Sequence, residues 1–168
     1  MSARTDSWNG PFLGVAALVA AFIAGSGATM PAVVASHFDA AGGANGTMPR
    51  AVYVALMLII GVGLPVLIAF RTSAAVGRPG ARINLPNREY WLGPERREAT
   101  IARLRTGIRQ FSAMLMVFLG YAHGLVVHAN RQTPPRLPAV AMIAGLVGLG
   151  VATILWWRGF ARGFRRSD

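Results

Sequence analysis

The sequence predicts an all-α integral membrane protein, a four-helix bundle with an interfacial amphipathic helix before the third span. Three observations carry this. Of 168 residues, 54% are hydrophobic and only 14% are charged, whereas a soluble domain carries roughly 25% charged residues. Four apolar stretches, residues 11–34, 51–70, 111–129 and 137–157, hold no Asp, Glu, Lys or Arg in their interiors. The basic residues fall between and after these stretches, as expected of membrane topology. A bilayer core needs about 20 apolar residues in a helix. Hydrocarbon offers no partner to a backbone N–H or C=O, so such a stretch must bond within itself as a helix.

The first stretch follows Arg4 and precedes small residues, as a cleaved signal would. Its apolar length exceeds the roughly 7–15 residues of a signal core, so a retained span is expected. Cysteine is absent, which removes disulfides, thiolate metal sites and a cysteine nucleophile.

All 17 basic residues are arginine, and the net charge is +11. Their placement argues against a nucleic-acid partner. Fourteen lie on one side of the four spans: nine between Arg71 and Arg109, then Arg158, Arg162, Arg165 and Arg166, and Arg4 at the start. The other side holds Arg50, Arg131 and Arg136. The positive-inside rule then puts both termini on the cytoplasmic side, with residues 71–110 as a cytoplasmic loop; the expected location is a bacterial inner membrane. Trp8, Trp91, Trp156 and Trp157 fall near the same interface, where indole rings prefer to sit.

Within residues 71–110, the part up to Arg82 reads as loop. Pro94 suits a first helical position, and Glu95 and Glu98 suit a first turn. Ile101, Leu104, Ile108 and Phe111 recur at helical spacing. An amphipathic helix running into the third span is expected. In the spans, Ala17, Ala21, Gly25 and Thr29, and likewise Gly120 and Gly124, predict close helix packing through small residues. Pro65, eased by Gly61 and Gly63, predicts a kink in the second span. His123 is an ionisable residue inside an apolar run, which marks either a functional group or a hydrogen bond between helices.

Residues 30–46 read MPAVVASHFDAAGGANG. Gly42, Gly43, Asn45 and Gly46 predict a turn joining two helices. His37 and Asp39, with His128 at the end of the third span, are candidate metal ligands. No P-loop, zinc-protease or nucleophile motif is present, and no cofactor is expected.

Residues 30–46 also resemble the signature L-P-x-x-x-P-x-H-F-x-x-x-G-x-x-x-G of a family of unknown function found in the membrane region of sporulation-delaying-toxin immunity (SdpI-like) proteins. Pro31, His37, Phe38, Gly42 and Gly46 match, while Met30 and Ala35 depart from it. Residues 83–98, INLPNREYWLGPERRE, resemble a second segment common in those proteins. The resemblance implies a multi-helix membrane protein of immunity or sensing type, with no established chemistry.

The expected function is therefore non-enzymatic. The chain would lie in the lipid bilayer and contact another membrane protein or a larger membrane complex, as an accessory subunit or an immunity or sensing protein. His37 and Phe38 would form one contact surface. Asn84, Pro86, Asn87, Tyr90, Trp91, Arg96 and Arg97 would form the other. The alternative is an outer-face metal-binding or small-solute transport protein built on His37, Asp39, His123 and His128.

Overall fold

The computed structural model describes residues 9–164. The elements are α1 (Asn9–Ala28), β1 (Val33–Phe38), β2 (Ala44–Pro49), α2 (Arg50–Gly77), α3 (Arg88–Trp91), α4 (Arg97–Ala129) and α5 (Ala139–Arg162). A π-helical turn, Ile59–Gly63, interrupts α2. Helices α1, α2, α4 and α5 are each long and apolar enough to cross a membrane. Large apolar side chains cover the outside, with Leu18 73% and Val140 83% exposed. In water that surface would be costly at about 25 cal/mol per Å², so lipid is its solvent. The protein is an all-α, multi-pass membrane protein.

Helix α4 is the centre of the bundle and packs on α1, α2 and α5. Phe12, Ala16, Ala69, Ala113 and Met116 form one buried cluster from α1, α2 and α4. Met30, Val34, Tyr53 and Val127 form a second at the other end. Helix α5 contains no buried residue. On α1 the packed residues are Phe12, Ala16, Ile23 and Gly27. The Ala17, Ala21, Gly25 and Thr29 stripe is exposed instead. Gly120 does pack closely, against Val19.

Several element bounds differ from the sequence reading, and each has a local cause. Helix α1 ends at Ala28 rather than near residue 34. Pro31 disfavours helix in the residue before it, and Thr29 and Met30 donate back to Ser26 and Gly27 in a closing turn. Residues 30–46 are not a simple turn. They make most of an antiparallel hairpin in which Val34 faces Met48 and Ala35 faces Thr47. Helix α2 continues to Gly77, because residues 71–77 contain no proline and Pro79 stands two residues beyond Gly77. Residues 71–77 of the expected loop are thus helical, and with the expected helix over 97–110 this leaves residues 78–96, which include α3, as the connection.

The predicted amphipathic helix and third span are one helix of 33 residues. At 1.5 Å per residue α4 is about 50 Å long, well beyond the roughly 30 Å hydrocarbon core. It begins at Arg97 rather than Pro94, with Arg96 as the residue before it at φ −112°, ψ −15°. Phe111 is turned outward and packs on Trp156, 5.6 Å between centroids.

Arginines close several helix ends. Arg50 donates to the carbonyls of Ala28 and Met30 at the end of α1. Arg97 donates to Arg78 O after α2, and Arg103 to Gly163 O after α5. Cations at helix C-termini meet unsatisfied carbonyls and the negative end of the dipole. Arg4, Arg165, Arg166 and Trp8 lie outside the described residues.

Candidate functional site

The hairpin end is the most elaborated part of the molecule. Two strands alone are marginally stable in water, so the ties to the bundle decide whether the hairpin holds. Asn130, the residue after α4, supplies the main one. Its Oδ1 accepts from Ala35 N–H at 2.8 Å, and its Nδ2 donates to Ala35 O at 2.9 Å. Nδ2 also donates to Val126 O. The carboxamide thus acts as a short third strand against β1, and both Asn130 and Ala35 are buried. At the hairpin tip, Asp39 Oδ1 accepts from the amides of Ala41 and Gly43. Gly42 accepts from Leu137 N–H at 2.8 Å, which ties the tip to the chain entering α5.

Gly42 has φ +82°, and a Cβ there would run into the carbonyl oxygen of Leu137. Gly42→Ala is therefore expected to cost at least about 1–2 kcal/mol from the left-handed conformation alone. Faster hydrogen exchange at Leu137, with the spans still protected, is the measurement that checks it.

The candidate metal ligands are not brought together. Asp39 is committed to the hairpin turn. His37 is exposed and shares a hydrogen bond with Ser36. His128 is exposed at the end of α4. Among the described residues, no group of three or more His, Asp or Glu is placed to hold a metal ion. The described residues thus offer no three-ligand set built from His37, Asp39 and His128.

His123 lies between three helices and is fully buried. Ser26 Oγ donates to Phe22 O at 2.6 Å and lies 2.9 Å from His123 Nε2. The single hydroxyl proton is thereby used, so Nε2 carries the hydrogen and donates to Ser26. Nδ1 then accepts from Tyr53 OH at 3.1 Å. Tyr53 stacks on the imidazole and Phe22 meets it edge-on. Every polar atom of the ring is satisfied, and the ring joins α1, α2 and α4.

At the arginine-rich end the predicted contact residues divide. Trp91 donates to Phe164 O and packs on the Phe164 ring. Thr100 donates to Trp91 O. Arg96 stacks over Tyr90 at 4.3 Å and pairs with Glu95. Arg97 reaches Arg78 O. Trp91, Tyr90 and Arg96 therefore form one framework, and Arg97 ties the chain beside it to the end of α2. Asn84, Pro86 and Asn87 stand exposed beside it, Asn87 in left-handed geometry at φ 51°.

Sequence reading missed Ser26, Tyr53 and Asn130. Each looks ordinary in its own segment. Only the distant partner gives it a role, 97 residues away for Ser26 and 95 for Asn130.

The fold and these sites define a class, the multi-pass α-helical membrane protein with a hairpin fixed at one end. No family model, no curated protein and no solved structure matches the chain.

Proposed function

We propose that this is a non-enzymatic protein of the bacterial inner membrane that works through contacts with another membrane protein, as an accessory subunit or in immunity or sensing. In this reading both termini and the arginine-rich end are cytoplasmic, and the hairpin faces outward. The observation that carries the reading is the hairpin. It is tied to the bundle by Asn130, Arg50 and Gly42, yet β2 has no buried residue and Val33 is 61% exposed. A preorganised surface loses little freedom on association, which favours binding. Residues 30–46 and 83–98, where the resemblance to SdpI-like proteins lies, map onto the hairpin and the Trp91 framework.

The test is photocrosslinking in native membranes. A photoreactive residue at Thr47 should give one discrete adduct with an integral membrane protein or a secreted peptide, and the same probe at lipid-facing Leu146 should not. Absence of a discrete adduct at Thr47 and at His37 would refute the reading.

A further inference from the structure

We propose that the groove between α4 and α5 is a binding site for one anionic phospholipid, in the leaflet on the arginine-rich side. An apolar groove of about 650 Å³ runs between the helices, lined by Met114, Val117, Phe118, Leu149, Ala152 and Trp156. A second cavity of about 430 Å³ continues it toward the arginine-rich end and is lined by Arg103, Thr106, Gly107 and Phe160. Gln110 and Trp156 line both, so the two form one path. One part is oily and the other is polar and cationic, as in a phospholipid.

The depth fits a single leaflet. Measured back from Ala129, a hydrocarbon core of about 30 Å reaches Gln110 after about 20 residues. Gln110 and Trp156 therefore mark the boundary between headgroups and hydrocarbon, and their own hydrogen bond at 3.0 Å fixes it. From Gln110 to Tyr121 the groove runs about 16 Å along the helix, close to the roughly 15 Å of one leaflet's hydrocarbon. Tyr121 closes that end. Its ring crosses to lie against Gly145, and its hydroxyl donates to Ala141 O at 2.7 Å.

Length selects an acyl chain over a partner helix: the groove runs about 16 Å, one leaflet's depth, whereas a spanning helix would need the full hydrocarbon core of about 30 Å. Charge selects the headgroup. Arg103 is exposed at the mouth, and its bond to Gly163 O uses one of the guanidinium's five N–H donors. Arg158 and Arg162 add exposed positive charge on the last turns of α5. Basic pockets between spans at the headgroup level bind anionic lipid.

The test is native mass spectrometry of delipidated full-length protein in mild detergent, with dioleoyl phosphatidylglycerol or dioleoyl phosphatidylcholine added. Wild type should retain one phosphatidylglycerol in preference to phosphatidylcholine. Arg103→Gln should weaken that retention at least about fivefold. Gly148→Leu should abolish the preference by filling the groove, because a side chain at Gly148 meets nothing within 4 Å. Circular dichroism of both variants should match wild type. Equal retention of the two lipids by wild type overturns the proposal, as does undiminished phosphatidylglycerol retention by Gly148→Leu. Displacement of the lipid by soluble glycerol phosphate also overturns it, because the groove would then hold no chain.

Discussion

Asn130→Ala should release the hairpin from the bundle while the four spans remain assembled. The substitution deletes three hydrogen bonds and leaves Ala35, only 3% exposed, with an unpaired N–H and C=O. In an antiparallel pair, alternate residues turn their backbone groups away from the partner strand. At Ala35 those groups point to Asn130, so β2 cannot replace it. Orphaning buried polar groups costs about 1–3 kcal/mol each. A local loss of about 3 kcal/mol is expected, on the order of a hundredfold in the opening equilibrium. Hydrogen exchange at the Ala35 amide reads it directly. Asn130→Asp should be at least as damaging, because its second carboxylate oxygen would face the carbonyl oxygens of Ala35 and Val126 that Nδ2 now serves. If exchange at Ala35 is unchanged in Asn130→Ala, the hairpin is held by its other ties and the role assigned to Asn130 is wrong.

His123→Ala should be the most damaging single change within the spans. The ring fills space between α1, α2 and α4, and removing a buried aromatic side chain costs about 3–5 kcal/mol in a packed interior. Loss of its bonds to Ser26 and Tyr53 adds a smaller amount, since hydrogen bonds between membrane helices average about 0.6 kcal/mol. These magnitudes predict an order. Tyr53→Phe and Ser26→Ala each remove one hydroxyl and should cost about 1 kcal/mol or less. His123→Ala should cost several times more. Denaturant unfolding in bicelles measures all three. Comparable losses in the three variants would mean that hydrogen bonding, rather than packing of the ring, holds this junction.

The spans were legible in the sequence because lipid enforces a simple rule: an uncharged stretch of sufficient length must satisfy its backbone internally. That rule says little about where a helix stops. Pro31 was a stop signal inside an apolar stretch, and hydropathy alone carries the helix through it. The strand Val33–Phe38 is six residues long, and the glycines after it read equally well as a turn between helices. Packing faces were harder still. Small residues at four-residue spacing on α1 suggested a contact stripe, but Phe12 and Ile23 fix the buried face instead. Of the candidate site residues, His123 was visible because a titratable group in an apolar run stands out. Tyr53 and Asn130 sit near the ends of runs, where polar groups are ordinary. The grouping of His37 with Asp39 and His128 rested on shared sidedness, and a common end of a bundle is far larger than a coordination sphere.

The π-helical turn in α2 changes the angular phase of that helix. At about 100° per residue, an uninterrupted α-helix would set Pro65 about 120° and Ala69 about 160° around the axis from Tyr53. A π turn absorbs one extra residue, which brings those angles to about 20° and 60°. Tyr53, Pro65 and Ala69 are all buried, so both halves of the helix present one side to the interior. The periodicity of tolerated substitutions along α2 should accordingly jump by one residue at Ile59–Gly63, as if two helices with different starting points had been spliced.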